Sequence, residues 1–442
     1  LLFLIPFKWL SSKTHKNPPP SPLKFPIIGN LHQLGSNPPR SLQALTQNHG
    51  PLMLLHLGNV PVLVVSSAEA AREIFKTYDL IFSSRPQLSI PYKLTYGFKD
   101  IGFAPYGEYW RQVRSIAVQH LLSQKQVQSF RQVREQETIL MINTIKESCG
   151  SVFDLRSYIP WLSWVDWLRG LDGRTNKVAK EVDEFLEGVI EEHVNKNVEV
   201  DNVDGGNDQC QDFVDILLDV QKENTAEFIF QRDTIKGIIL DVFVGGTDTT
   251  STSIEWALCE LIRHPEVMKE LQKEVTNIAQ GRSMITEDDT RKMNYLKAVL
   301  KETLRLHPPA PLLIPRESTQ YVKLLGYDIE KGTQVMVNAW AIARDLSIWE
   351  DPEKFKPERF LESSIDYKGL HFEFLPFGAG RRGCPGIQFS IAINELVLAN
   401  VVYKYDLALP NEGRPEELDM SEISGVTFHK KSPLLVEATP RL

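Results

Sequence analysis

The sequence predicts a mainly α-helical domain with a small β-rich lobe, and three patterns carry this prediction. Long segments with apolar residues at helical spacing dominate the chain. Near its start, Leu52–Leu57 and Val60–Val65 flank Gly58-Asn59, which is typical of a β-hairpin. Further on, Tyr321–Leu325 and Gln334–Asn338 are strand-like. There is no internal repeat, so we expect one interlocked domain.

Composition narrows the class of protein. The chain has 442 residues with 42% hydrophobic and 24% charged side chains, which is ample for a large core. A formal net charge of −8 argues against a nucleic-acid-binding protein. The four cysteines, Cys149, Cys210, Cys259 and Cys384, form no CxxC pair or disulfide-like framework. We therefore expect a reducing compartment.

The N-terminal thirty residues are predicted to be separate from the main domain. Residues 1–10 are mostly apolar, but a bilayer span takes about 20 residues. Lys8, Lys13 and Lys16 follow, and Pro18–Pro26 is rich in proline. We expect residues 1–17 to be the remnant of a membrane anchor and 18–30 a proline-rich hinge. The alternative is a disordered terminus with no membrane role.

The remaining elements follow from periodicity and from end signals. The predicted helices are Pro39–Asn48, a helix capped by Ser67 and ending at Phe75, Glu108–Gln119, Lys125–Ser148, Lys177–Val194, Arg232–Arg263, 265–280, Tyr295–Leu306 and Ile387–Tyr403. The final strand is predicted at Ser432–Ala438. Long loops are predicted at Ile81–Ala104, which has little periodicity, and at the acidic Val198–Gln209.

The longest predicted helix carries poor helix formers in its middle. Gly245 and Gly246 precede Thr247, Asp248 and Thr249, and each glycine costs about 1 kcal/mol relative to alanine. We expect a local widening or kink here that makes room for water or a small diatomic ligand. Asp248 and Thr249 then supply a carboxylate and a hydroxyl, which are the parts of a proton relay. The alternative is a packing kink whose hydroxyls bond back to the preceding turn.

One cysteine lies in a glycine-rich turn just before the last long helix. The stretch Phe377–Gly386 places Cys384 where a thiolate is favoured by a helix N-terminus. Gly380 and Gly386 let a flat ligand approach the backbone, and Arg382 could bind a carboxylate on it. These features suit an iron held by one thiolate, as in haem-thiolate proteins. The alternative is a buried cysteine in a tight turn.

Two further pairs of residues at helical spacing are weak evidence for a function when each is taken alone. Trp110 and Arg114 are four residues apart and share a helix face, where they could bind a buried anionic group. Glu302 and Arg305 are three apart on another helix and could form an ion pair.

Taken together in this order, these motifs resemble the cytochrome P-450 superfamily, most closely the microsomal enzymes of plant secondary metabolism. The resemblance covers nearly the whole chain, from the proline hinge to the last strand. It implies the cytochrome P-450 fold, with residues 31–442 as the haem-binding catalytic domain.

The resemblance also implies roles for individual residues. Cys384 would be the axial thiolate of haem b, and Asp248 with Thr249 the pair that delivers protons to dioxygen. The implied cofactor-binding residues are Trp110, Arg114, Arg316, Phe377, Gly380, Arg382 and Gly386, of which Trp110 and the arginines would bind the haem propionates. Glu302, Arg305 and Arg359 would form a buried structural ion network. The implied substrate pocket comprises Leu240, Phe243, Val244, Thr247, Leu312, Leu313 and Val426.

The implied reaction inserts one oxygen atom of O2 into a small apolar plant metabolite such as a terpenoid, a coumarin, another phenolic or an oxime. Electrons would come from NADPH through NADPH-cytochrome P-450 reductase. The implied location is the cytosolic face of the endoplasmic reticulum membrane. A non-oxygenating haem-thiolate isomerase or dehydratase is an alternative, but such chemistry does not need the Asp248–Thr249 pair.

The chain departs from the family between two predicted segments. Only nine residues, Cys149–Ser157, separate the helix ending near Ser148 from the segment Tyr158–Trp167. The family places two helices there, so we expect an internal deletion near 150–158. A truncated chain without catalytic activity is therefore another alternative. Trp161, Trp164 and Trp167 follow the deletion and could contact a membrane, an apolar ligand or the core.

Overall fold

The computed structural model describes residues 16–154, 175–200, 211–223 and 230–441, with side chains described only to residue 195 in the second range. Its α-helices are α1 (Pro38–His49), α2 (Ala68–Arg72), α3 (Ser89–Leu94), α4 (Glu108–Ile116), α5 (Gln124–Ser129), α6 (Arg131–Glu147), α7 (Thr175–Val200), α8 (Phe213–Glu223), α9 (Arg232–Arg263), α10 (Pro265–Ala279), α11 (Glu287–Thr290), α12 (Asn294–Leu306), α13 (Ala339–Ile342) and α14 (Ile387–Lys404). Helices α2 and α4 continue as π-turns at Glu73–Thr77 and Ala117–Leu121.

The strands form small sheets, as the sequence predicts. They are β1 (Leu52–Leu57), β2 (Val60–Val65), β3 (Val152–Asp154), β4 (Arg316–Glu317), β5 (Val322–Leu324), β6 (Tyr327–Ile329), β7 (Gln334–Val337), β8 (Tyr405–Ala408), β9 (Glu422–Ile423), β10 (His429–Lys430) and β11 (Leu435–Pro440). The order β1-β2-β7-β4 gives the largest sheet, in which β2 and β7 are parallel. Strand β11 joins β3 to β8, while β9 pairs with β10 and β5 with β6.

The predicted hairpin is confirmed, with Leu52 paired to Val65 and Leu57 to Val60. The segment predicted as a hinge lies along this sheet rather than apart from it. The Pro20 carbonyl accepts a hydrogen bond from Leu54 N at 2.9 Å, and Gly29 forms a β-bridge with Leu57. Residues 18–30 are therefore anchored to the sheet by backbone bonds.

The core lies around α9, which packs against α10, α12 and α14. Every residue from 250 to 262 is buried, because neighbouring helices cover all faces of this stretch. A helix buried on all sides shows little amphipathic pattern, so length and end signals are what predict it. His264 ends α9, and Pro265 begins α10, as predicted.

The structure differs from the predicted elements at several places, and β3, β8, α11 and α13 are among the elements that were not predicted. The loop predicted at Ile81–Ala104 contains the short helix α3. The single helix predicted over Lys125–Ser148 is broken at Phe130, whose ring packs at 4.7 Å from that of Phe213. Helix α8 was not predicted.

Residues 155–174, which include the three tryptophans and part of the predicted deletion, lie outside the described residues, as does the predicted anchor up to residue 15.

Within the described ranges, no helix combines the length and the apolar character that crossing a membrane requires.

Candidate active site

The cysteine loop, residues 377–386, is a rigid turn in front of α14. The Cys384 amide donates to the Phe377 carbonyl at 3.0 Å, and Arg114 of α4 donates to the Gly383 carbonyl at 2.6 Å. The Cys384 side chain is exposed, although burial of its surroundings raises the pKa of the thiol. The Gly386 amide and Arg114 oppose that rise and favour the thiolate. An exposed thiol and a pKa raised by burial are compatible when the thiol opens onto a space inside the protein.

Gly380 is required by the anchoring of this loop. Its φ is +69°, and a Cβ there would lie 2.6 Å from the Phe75 carbonyl oxygen and closer still to the carboxylate of Asp79. Asp79 accepts hydrogen bonds from the Arg381 amide at 3.2 Å and lies 3.4 Å from an Arg316 nitrogen. The prediction explained Gly380 by close approach of a ligand, whereas here its missing Cβ makes room for Asp79. Asp79 was not predicted, because it belongs to no recognisable motif.

Four arginines from separate segments form a buried cationic cluster beside the cysteine loop: Arg85, Arg114, Arg316 and Arg382. Burial lowers the pKa of Arg382 to about 9, and the charges of Arg316 and Arg114 add to this effect. Burial, then Arg316 and Arg382, also lower the pKa of Arg85. Arg316 has a pKa lowered to about 10 by burial, opposed by Asp79. Burial is the main cause in each case, and neighbouring arginines lower the pKa of Arg85 and Arg382 further, so an anionic ligand would be stabilised here.

Backbone carbonyls hold these donors in place. Arg382 donates to the carbonyls of Ser83, at 2.7 Å, Ile101 and Ala104, and its guanidinium lies 4.1 Å from the centre of the Trp110 ring. The Trp110 indole donates to the same Ile101 carbonyl at 3.0 Å. The predicted residues Trp110, Arg114, Arg316 and Arg382 are thus brought together.

Arg85 belongs to this cluster and was not predicted. It donates to the Gly102 carbonyl at 2.9 Å and to the Ile314 carbonyl at 2.6 Å, tying the loop before α4 to the segment before β4. It lies in a stretch without periodicity, so the only available signal was an isolated charge beside Pro86 in an otherwise weakly charged loop.

A pair of carboxyl groups, on the buried Asp100 and the half-buried Asp241, fastens the same loop to α9. Asp241 accepts from the Ile101 amide at 2.6 Å and the Gly102 amide at 3.1 Å, and Asp100 accepts from the Phe103 amide at 2.8 Å. Burial raises the pKa of both acids, and their proximity raises that of Asp241 further. The pair therefore favours sharing one proton, so it offsets only part of the arginine charge.

The middle of α9 differs from the predicted widening. The helix is continuous from Arg232 to Arg263, and the Thr249 hydroxyl donates back to the Gly245 carbonyl at 2.7 Å. The back-bonding alternative therefore describes the geometry, and the prediction of a local widening is wrong. Gly245 and Gly246 are nevertheless exposed, and a Cβ on either would meet no neighbouring element within 4 Å. Asp248 is buried one residue before Thr249.

The residues predicted to line a substrate pocket lie in several environments. Leu312 packs on the apolar cluster of β1 and β2, and Leu313 on the cluster beside the cysteine loop. Val426 is 86% exposed at the tip of the turn between β9 and β10. Phe243 lines an apolar cavity of about 110 Å³ that faces α8. Leu240 contacts α7, Val244 is half-buried and Thr247 is buried.

The predicted ion network is assembled behind the cysteine loop. Arg305 holds both carboxylate oxygens of Glu302, at 2.7 and 2.8 Å, and both side chains are fully buried. Arg359 adds a contact of 3.1 Å, and the Lys356 amide donates to the same carboxylate at 2.9 Å. Trp349 lies 5.2 Å from the Arg305 guanidinium. The Glu302 carboxylate is therefore shared by two guanidinium groups, of which that of Arg305 is fully buried.

Comparison with known proteins identifies the family to which the chain belongs. The cytochrome P450 family model matches residues 18–160 and 157–436. The chain is a cytochrome P450. It is 56% identical to cytochrome P450 Tp4149 of Tanacetum parthenium, over 100% of this chain and 96% of that protein. It is also 48% identical to psoralen synthase of Ammi majus, over 100% of this chain and 97% of that protein.

Solved structures agree with the fold. A zebrafish cytochrome P450 solved with abiraterone superposes with a TM-score of 0.80 at 26% identity, over 92% of this chain and 100% of that one. The P450 fold, the monooxygenase class and the haem b cofactor predicted from the sequence are therefore confirmed.

The residues present fit haem. An exposed thiol, a cluster of buried arginines and two open glycines supply what a flat, dianionic iron complex needs: an axial ligand, partners for its carboxylates and space.

The alignments also bear on the predicted deletion. The match to the Tanacetum protein runs over 485 positions, although this chain has 442 residues, so at least 43 positions hold no residue of this chain. The two parts of the family match meet at 157–160, next to the short connection of nine residues.

Proposed function

We propose that this P450 oxidises a small apolar plant metabolite of the terpenoid or coumarin type, with electrons from NADPH through NADPH-cytochrome P-450 reductase at the endoplasmic reticulum membrane. The names of the relatives support the substrate class, because one of them is a psoralen synthase. The composition of the predicted pocket supports it as well, because six of its seven side chains are apolar.

In this proposal Cys384 would ligate the haem iron, and the observation that carries the proposal is the exposed thiol beside Arg114. Its exposure leaves the sulfur free to bind iron, and the Gly386 amide and the Arg114 charge stabilise its anionic form. Arg382, Arg316, Arg114 and Trp110 would hold the haem carboxylates. When bound, the haem supplies dioxygen activation and substrate oxidation.

Asp248 and Thr249 move protons in this proposal. Thr249 has its hydroxyl on the turn that also contains the exposed Gly245 and Gly246, so the hydroxyl borders open space. It gives up its bond to the Gly245 carbonyl when it passes a proton. Asp248, buried on the adjacent position, replaces that proton.

The carbon monoxide spectrum of the reduced protein tests the ligand assignment. We expect the red-shifted Soret band of a thiolate-ligated haem, lost in Cys384→Ser and kept in the control Cys149→Ser, whose sulfur is half-buried next to the Ile145 carbonyl. A band retained in Cys384→Ser would refute the assignment. Thr249→Ala should raise peroxide release per NADPH, and an unchanged ratio would refute the relay.

A second candidate is a chain that binds haem but does not complete catalysis. The two-part family match and the 485-position alignment favour it, because the absent positions would include helices that cover the site. Leu140 of α6 and Phe185 of α7, on either side of the short connection, are each 58% exposed. Sequencing the transcript across residues 150–158 separates a genuine deletion from a longer message, and NADPH-supported product formation separates the two functions.

A further inference from the structure

The loop before α4 lies directly against α9. Gly237 of α9 is required at this contact, because a Cβ there would lie 2.5 Å from the Lys99 carbonyl oxygen. One turn further along α9, a single carboxylate oxygen of Asp241 accepts hydrogen bonds from the amides of Ile101 and Gly102, at 2.6 and 3.1 Å. The loop is therefore held on α9 by a close backbone approach and by one aspartate.

The carbonyls of the same two loop residues hold side chains of the arginine cluster. The Ile101 carbonyl accepts from the Arg382 guanidinium at 3.1 Å and from the Trp110 indole at 3.0 Å. The Gly102 carbonyl accepts from Arg85 at 2.9 Å. The peptide group that joins the two residues thus donates to the carboxylate on α9 and accepts from a guanidinium. Its plane is fixed from both sides, and each hydrogen bond polarises the other.

A second carboxyl group, that of Asp100, lies beside Asp241. A Cβ on Gly102 would lie 3.3 Å from an oxygen of each acid, so the two groups border the same small space. The other contact of Asp100 is with its own loop, because it accepts from the Phe103 amide at 2.8 Å. Two ionised carboxylates in such a place repel each other, whereas a proton on one of them lets it donate to the other.

The ionisation of the pair depends on several neighbouring groups. Burial raises the pKa of Asp100, and the Arg382 charge opposes this rise. Burial raises the pKa of Asp241, and the charge of Asp100 and a hydrogen bond to it raise that pKa further. The other charged or titratable groups around the pair are Arg85, Tyr109 and Lys99, which is paired with Asp233 at 2.8 Å. The arginines favour one negative charge on the pair, whereas burial and mutual repulsion oppose a second.

We propose that Asp241 is a positioning residue for haem binding, and that it holds the loop, with one proton shared with Asp100, where the loop carbonyls orient Arg382 and Arg85. The inference rests on the proposed assignment of the arginines to the haem carboxylates. Loss of the shared proton places two like charges side by side and loosens the loop from α9. Because both pKa values are raised, this hold is present at low pH and is lost as the pH rises through the raised values.

The first experiment measures hydrogen–deuterium exchange of the full-length haem protein, without turnover. Asp241→Ala should lower the protection factors of the Ile101 and Gly102 amides about tenfold, because both lose their acceptor. Asp241→Asn should keep the protection, because its amide oxygen accepts the same two bonds and its NH2 group donates to Asp100 in place of the shared proton. The protection should fall with rising pH in the wild type and stay constant in Asp241→Asn.

Three results of this experiment would overturn the inference. Unchanged protection in Asp241→Ala would show that Asp241 does not hold the loop. Protection lost equally in Asp241→Asn and Asp241→Ala would exclude a shared proton, and so would wild-type protection that is independent of pH. The pH profile of Asp241→Asn keeps the test decisive where Asp241→Ala does not fold.

The second experiment measures the rate at which the protein loses haem to apomyoglobin. Asp241→Ala should lose haem about tenfold faster than the wild type, because the arginines lose the carbonyls that orient them, and Asp241→Asn should stay close to the wild type. The matched control is Glu274→Gln. Glu274 is also a half-buried acid that holds two consecutive amides, those of Tyr295 and Leu296 at 2.9 and 3.0 Å, but it joins α10 to α12. This control should change neither the loop protection nor the haem loss.

A variant of the cluster itself separates the two proposals. Arg382→Gln should lose haem faster whatever the state of the loop. Faster loss in Arg382→Gln but not in Asp241→Ala would overturn the role of Asp241 alone. An unchanged rate in Arg382→Gln would refute the assignment of this arginine to the haem carboxylates, and the role of Asp241 with it.

Discussion

The two parts of α9 are one continuous helix in very different surroundings. No residue from 239 to 246 is buried, whereas every residue from 250 to 262 is. The open part faces the loop before α4, the cavity beside α8 and helix α7. The closed part lies among α10, α12 and α14. The closed part therefore carries the stability of the fold, and the open part is where a ligand can be admitted.

The two parts also handle charge differently. Beside the closed part, Glu302 and Arg305 are paired with no exposure at all. Beside the open part, Lys236 pairs with Asp183 at 2.5 Å and with Glu187 at 2.6 Å, but these carboxylates are 46% and 36% exposed. Breaking the first pairing strands a buried charge, whereas breaking the second returns two carboxylates to water.

The largest expected effect is from Glu302→Gln. It leaves Arg305 charged and fully buried, at a cost of about 3–5 kcal/mol in the free energy of unfolding. Lys236→Met next to the open part should cost less than this, because Lys236 is buried but its two partner carboxylates are partly exposed to water. Urea denaturation followed by haem absorbance measures both.

Glu353→Gln is the matched control for that comparison. Glu353 also contacts a buried arginine, Arg344 at 3.2 Å, but Glu353 is 65% exposed and Arg344 keeps its bond to the Leu306 carbonyl, so we expect a smaller loss of stability than in Glu302→Gln. An equal loss in the free energy of unfolding for Glu302→Gln and Lys236→Met would contradict the distinction between a closed and an open side.

A smaller effect is expected from truncating one leucine in each part of α9. Leu258 is fully buried, so Leu258→Ala should cost about 3 kcal/mol through lost contacts and a residual cavity. Leu240 is half-buried, so Leu240→Ala should cost about 1 kcal/mol. Thermal unfolding of the two variants in the same buffer compares their stabilities. A larger loss of stability for Leu240→Ala than for Leu258→Ala would contradict the prediction.

The smallest effect concerns pH. Burial alone would raise the pKa of Glu260, but His264 and His307 lower it to about 2, and Glu422 is lowered to about 2 in part by His307. Burial alone would lower the pKa of His307, but Glu260 and Glu422 raise it, and Glu260 raises that of His264. This cluster joins the closed part of α9 to α12 and β9.

The directions of these pKa shifts determine how the stability of the protein changes with pH. The acids contribute stability above about pH 4.5 that is lost as the pH falls towards 2, and the histidines contribute stability below about pH 6.5 that is lost as the pH rises through their raised pKa values. We expect the melting temperature to be highest between these limits. Glu260→Gln should flatten the profile on both sides, and an identical profile would show that the cluster is not linked to folding.

Features set by local sequence were predicted well. The hairpin strands agree residue for residue, α9 was predicted with both its ends, and Glu302, Arg305 and Arg359 meet as the resemblance implied. Each of these depends on neighbours in sequence or on a motif with fixed spacing.

Features set by distant contacts were missed. Asp79 and Arg85 act on partners 302 and 229 residues away. His429 meets Thr252 across 177 positions. None of them stands in a periodic segment or a recognisable motif, and the helix break at Phe130 involves neither proline nor glycine. Such residues are defined by tertiary geometry, which a single sequence does not contain.

The anchoring of the cysteine loop has a consequence for the order of assembly. Asp79 and Arg114 clamp the loop from positions 302 and 269 residues earlier in the chain. During synthesis the clamps emerge long before the cysteine, so the loop can close only once nearly the whole polypeptide has been made. The Cys384 thiol is then positioned late, and a chain interrupted before the loop would carry Arg85, Arg114 and Arg316 without the sulfur.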